Sequence, residues 1–191
     1  MEVIFKAEFI DLFFLILCLR VIYISISRGL ISENFKIAGI LFSSFFAFQY
    51  FAFLGDVLQN KVFFLNVEYL HLASFILIFF ATYTVFGLVR LIVTLLCRKR
   101  ESSIGKNWLL LCMGVFRAIF LSSVIIFVLC LSPLDSKHFR NSISFNLFSD
   151  VAPNIYFISL GTYNLINPEA VLNSKVEEYV NLKSLDKKAK K

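Results

Sequence analysis

Residues Trp108 to Leu131 read WLLLCMGVFRAIFLSSVIIFVLCL, an apolar run interrupted by one charge, Arg117. As a helix this run is about 36 Å long at ~1.5 Å per residue, enough to cross the ~30 Å hydrocarbon core of a bilayer. Three further stretches have the same character: Phe9 to Ile26, Ile37 to Leu54 and Leu70 to Leu96. Apolar runs of this length predict an all-α polytopic membrane bundle, with one four-helix transmembrane domain over residues 9–132. A charge at the centre of a membrane helix costs ~2.5 to 3.5 kcal/mol on insertion scales. Arg20, Arg90 and Arg117 therefore each need a partner or a route to the interface. Arg20 and Arg90 lie within one to two turns of their helix ends and can snorkel. Arg117 lies nine residues into its helix, about 13 Å deep, and is the residue least easily explained by lipid alone.

The composition agrees. Of 191 residues, 59% are hydrophobic, which leaves little polar surface for a water-soluble fold and no room for a second domain. The net charge of +6 is concentrated in Arg98-Lys99-Arg100 and in the lysines from Lys183 to Lys191. That placement points to a lipid leaflet and not to nucleic acid. Cys18, Cys97, Cys112 and Cys130 are far apart and form no C-x-x-C pair. His71 and His138 have no acidic or thiol neighbour at ligand spacing, so no metal site and no cofactor are expected. The expected partners are the bilayer itself and a membrane-protein partner or a second copy of the chain.

The N-terminus lacks the basic n-region and small-residue cleavage site of a secretory signal, so the first helix is expected to be retained. Arg28 and Lys36 lie between the first two spans, and Arg98, Lys99, Arg100 and Lys106 between the last two, whereas Gly55 to Tyr69 offers only Lys61. The positive-inside rule then places loops 27–36 and 97–107 in the cytoplasm. Segment 142–167 carries Asp150, Pro153, Asn154, Gly161 and Asn164 and makes a poor lipid-facing span. Phe145, Phe148, Ala152 and Ile155 recur at helical spacing opposite Asn146, Ser149, Asp150 and Asn154, which predicts an amphipathic helix on the bilayer surface. Residues 168–191 read as a charged, partly disordered tail.

Small residues recur every four positions in two spans: Gly39, Ser43 and Ala47, then Gly114, Ala118 and Ser122. Each series forms a groove that another backbone can approach, and the second and fourth helices are expected to pack closely through them, in one chain or between copies.

Asp11 opens the first helix, R-G-L-I-S-E follows seventeen residues later from Arg28 through Gly29 to Glu33, and G-V-F-R runs from Gly114 to Arg117 in the fourth helix. This ordered set resembles the colicin V production protein family of bacterial inner-membrane proteins, over about Phe9 to Ile166. The family's Asp-Arg pair before helix four is Lys106-Asn107 here, a family glycine is Leu110, and the glycine after the arginine is Ala118. The resemblance implies a small, non-enzymatic protein of the bacterial inner membrane, needed for production of a peptide toxin and associated with envelope maintenance.

Read without the family, Gly29 and Glu33 fit a tight turn into the second helix, where the helix dipole favours an anion in the first turn. Asp11 is expected to be solvated or to cap a helix. Glu33 is the best acceptor for Arg117, being the acidic residue at the corresponding end of a neighbouring helix. The spans bring together no nucleophile, base or paired acids, so an enzyme is not expected. A small anion or lipid transporter is the alternative, because a buried arginine can bind an anion. Single cysteines at Asn60 and Ser103 should label with impermeant reagents from opposite faces of the membrane, Asn60 from outside. Labelling of both from one face would contradict the four-span order.

Overall fold

A computed structural model describes residues 2–27, 30–61, 66–96, 104–132, 142–165, 172–177 and 180. Four long helices dominate: α1 (Glu2–Ile26), α2 (Leu30–Gln59), α3 (Val67–Leu96) and α4 (Ile104–Leu131). Each contains a window long and apolar enough to cross a membrane: Phe9–Ile26, Ser32–Gln59, Tyr69–Leu96 and Trp108–Leu131. The protein is an all-α, multi-pass membrane bundle. α2 starts at Leu30, seven residues earlier than the apolar run suggests, so Glu33 and Lys36 belong to its first two turns and not to a connecting loop.

The helices pair as α2 with α3 and α1 with α4, and α4 joins the two pairs by also meeting α2. This corrects the expected use of the small residues. Gly39 faces α3, where an added Cβ would lie 3.2 Å from the Cβ of Phe86. Gly114 faces α1, where an added Cβ would lie 2.7 Å from the Cβ of Ser25. Ser122 also meets α1, through the Cys18 thiol at 3.6 Å. A four-residue repeat marks a face that permits close approach, but it does not name the helix that takes it. Contact between α2 and α4 is made instead by large side chains, with the rings of Phe48 and Phe127 at a centroid separation of 4.5 Å. Phe51 and Phe75 complete this fully buried aromatic cluster, and Ser43, Ala47 and Ala118 are buried in the same interior. Edge-to-face contacts of this kind add ~0.5–1.5 kcal/mol per pair beyond area burial.

Segment 142–167 is not a single surface helix. It forms α5 (Ile143–Phe148) and α6 (Val151–Asn164), separated by a turn at Ser149 and Asp150. α5 rests on α1 and α4, and α6 on α4 and α2. Ser149, expected on the polar side, is buried, and so are Ala152, Pro153, Tyr156 and Leu160. The Ala152 N–H donates to Ser123 Oγ at 2.7 Å, and Ser123 lies eight residues, about 12 Å, inside the Leu131 end of α4. α6 therefore attaches well below the end of the span. Pro153 is tolerated because it falls in the first turn, where its missing N–H removes no intrahelical bond.

Part of the expected tail is docked as well. Residues 174–177 form a helical turn, and Asn173 just before it is buried. The Asn173 Nδ2 donates to the carbonyls of Phe48 at 2.7 Å and Gln49 at 3.3 Å. Its backbone N–H donates to the Tyr156 hydroxyl at 3.3 Å, and that hydroxyl donates to Gln49 Oε1 at 2.7 Å. Val176 is fully buried against the same core. The lysines from Lys183 to Lys191 lie outside the described residues. Since a buried acceptor left without its donor costs ~1–3 kcal/mol, Asn173→Ala should free this segment and lower the thermal midpoint of the detergent-solubilised protein by several degrees. A cysteine at Val176 should then react with a soluble maleimide that it resists in the parent, and unchanged protection would show that Asn173 does not hold the segment.

Candidate functional site

At the end of the bundle that carries the α1–α2 connection, three helices converge on a buried carboxylate. Glu33, in the first turn of α2, is 0% exposed. The Arg117 guanidinium of α4, 7% exposed, forms an ion pair through Nη1 with Glu33 Oε1. Lys36 Nζ, one turn along α2, donates to the other oxygen, Oε2, at 2.6 Å. Arg117 Nη2 donates to the Val21 carbonyl of α1 at 3.1 Å. The two carboxylate oxygens thus serve different cations, and the guanidinium divides its donors between α2 and α1. Arg117 does not snorkel.

The G-V-F-R motif explains this reach. Gly114 lies three residues before Arg117, on the same side of α4. Its missing side chain lets α1 come so close that a Cβ there would also lie 3.3 Å from the Ile22 Cα. The Ser25 hydroxyl, on the approaching face, donates to the Leu110 carbonyl at 2.8 Å. α1 is thereby held where the Val21 carbonyl can take the second Arg117 donor. In a low-dielectric interior the shared carboxylate is the critical member: without Glu33 two buried cations face each other uncompensated, a loss of ~3–5 kcal/mol.

Asp11 does a different job: α1 starts at Glu2, so Asp11 lies within the helix and does not open it. Its Oδ1 accepts the Ser144 N–H at 2.8 Å and its Oδ2 the Ile143 N–H at 3.1 Å. Together with the Ser142 hydroxyl, which accepts the Phe145 N–H at 3.1 Å, it satisfies the first free donors of α5. Asp11 caps a helix, as one of the two sequence readings allowed, and lies ten residues, about 15 Å, from Val21 along α1. It is not joined to the Arg117 cluster. Arg28 and Gly29 lie outside the described residues, Arg20 is exposed and Arg90 half-buried.

Sequence reasoning brought Glu33 and Arg117 together but overlooked Lys36, although its Glu-x-x-Lys spacing at the start of α2 was readable. It also overlooked the Gln49–Tyr156–Asn173 network, for which the signal was an amide, Gln49, inside an apolar span. Replacing Gly114 with Leu should force α1 away from α4 and cost about 1–3 kcal/mol, read as a lower yield of monodisperse protein and a lower thermal midpoint. Leu at Gly161, where nothing lies near an added Cβ, should be tolerated. Equal behaviour of the two variants would contradict the close approach.

The family model for colicin V production protein matches residues 10–153. No curated protein and no solved structure matches the chain. The matched region holds Asp11, Glu33, Gly114 and Arg117, and ends before Tyr156 and Asn173. Three quarters of the sequence follow one family pattern, and the chain belongs to the colicin V production protein family.

Proposed function

We propose that this protein is a non-enzymatic component of the bacterial inner membrane that supports production or export of a peptide toxin, or upkeep of the envelope, with its α1–α2 and α3–α4 connections in the cytoplasm. The observation that carries this reading is the sealed Glu33–Lys36–Arg117 cluster. The motif residues spend their charges on one another and on the Val21 carbonyl, at exposures of 0% and 7% for Glu33 and Arg117. Groups paired and buried in this way hold helices in register; they offer no open acid, base or nucleophile to a substrate. The family match supports the cellular role, and the four spans support a multi-pass protein working through the bundle as a unit.

The test is genetic. Arg117→Lys keeps the charge but loses the fork that reaches both α2 and α1, and Glu33→Gln removes the anion. Each single change should lower toxin output, or survival of a membrane-active detergent, about tenfold or more, since ~1.4 kcal/mol corresponds to a factor of ten. The double variant should be no worse than the poorer single one, because both disrupt one interaction. Additive losses in protein that still inserts normally would refute a shared role. Solute flux through purified protein in liposomes that disappears on Arg117→Ala would replace the accessory reading with a transporter.

A further inference from the structure

α3 is held mainly by α2 and meets α4 only lightly, and between them the bundle leaves an open groove of about 420 Å³. Its walls include Ile40 of α2, Phe79 and Tyr83 of α3, and Leu121, Ile125 and Leu129 of α4. All of these lie within the membrane-crossing windows, so the groove opens onto hydrocarbon. Along α4 it extends from Leu121 to Leu129, about 12 Å at ~1.5 Å per residue, close to the ~15 Å depth of one leaflet.

The helical register places charge at one end of this groove. Lys36 precedes Ile40 by four residues on α2, and Arg117 precedes Leu121 by four on α4, so each is one turn from the lining on the same face. α3 runs the opposite way, and Arg90 follows Tyr83 by seven residues, two turns towards that same end. Among the described side chains of the three lining helices, this end has three cations, Lys36, Arg90 and Arg117, against one carboxylate, Glu33. Arg90 is half-buried and within reach of the bilayer, whereas Lys36 and Arg117 are enclosed and act through their field.

We propose that the groove is a binding site for an anionic phospholipid, with one acyl chain between α3 and α4 and the phosphate at the Arg90 end. An acyl chain matches the apolar walls and their length, and an anionic headgroup matches the excess of cations one to two turns away. A second copy of the chain, related by an axis along the membrane normal, would bring the same cations face to face. The site extends beyond the accessory role and does not depend on it.

A tryptophan in place of Phe79, in protein whose own tryptophan is removed by Trp108→Phe, reports on the groove. The full chain is reconstituted in vesicles in which either phosphatidylglycerol or phosphatidylcholine carries brominated acyl chains. Brominated phosphatidylglycerol should quench the reporter severalfold more effectively than brominated phosphatidylcholine, while a tryptophan at the exposed Leu77 should show no preference. Arg90→Gln should reduce the preference roughly fivefold, as expected for one cation near a membrane surface. Equal quenching by the two lipids would overturn the proposal, and so would a preference that survives Arg90→Gln. Quenching by neither lipid would mean that protein covers the groove, and would overturn it as well.

Discussion

A guanidinium cannot be left alone in hydrocarbon, and the arrangement of this bundle follows from how Arg117 is satisfied. Its two terminal nitrogens face different helices, Glu33 on α2 and Val21 on α1. One side chain therefore fixes the relative positions of three spans at one end. At that end small residues permit close approach, at Gly114 against Ser25 and at Gly39 against Phe86. Further along, the α2–α4 contact passes to Phe48, Phe51 and Phe127, which need no polar partner. The bundle is thus pinned by charge at one end and filled by aromatic carbon further in, in keeping with the weak apolar driving force between helices that are already surrounded by lipid.

The C-terminal third obeys the same requirement with one carboxylate and several neutral groups. The first donors of α5 are taken by Asp11 and the Ser142 hydroxyl, and the Ala152 N–H of α6 by Ser123. Asn173 binds carbonyls of α2, and Tyr156 joins it to Gln49. Asp11, Ser123, Tyr156 and Asn173, which would be costly against lipid, are acceptable here because each meets a partner on another element. α6 lies against the flank of the spans, and the exposed Ile158 on it and Leu165 just after it are apolar, as suits a surface in contact with hydrocarbon.

What could be read from the sequence divides along physical lines. The spans were legible because apolar length is a local property, and the Glu33–Arg117 pair was legible because acids near the spans are so scarce that few acceptors compete. Pairing between helices was not, since Gly39 and Gly114 announce close approach without naming the neighbour. α6 was misread because Asp150, Pro153 and Asn154 look hostile to a membrane when each is weighed alone. Pro153 costs little because it falls in the first turn of α6, and Ser123 of α4 takes the neighbouring Ala152 N–H, a partner that only the tertiary structure reveals. Asn173 sat in a segment whose charge suggested solvent, and only the location of the Phe48 carbonyl reveals otherwise.

The division of the Glu33 carboxylate between two cations has a consequence for biogenesis. α2 leaves the ribosome well before α4, so Glu33 enters the membrane environment while Arg117 has not yet been synthesised. Lys36, one turn away on the same helix, engages Oε2 and needs no other span to do so. A local ion pair reduces the charge that α2 carries into lipid on its own. It also leaves Oε1, the oxygen that Arg117 takes, for the later helix. The order in which the partners are made is thereby the order in which the carboxylate is filled, and α4 arrives to find its acceptor already in place.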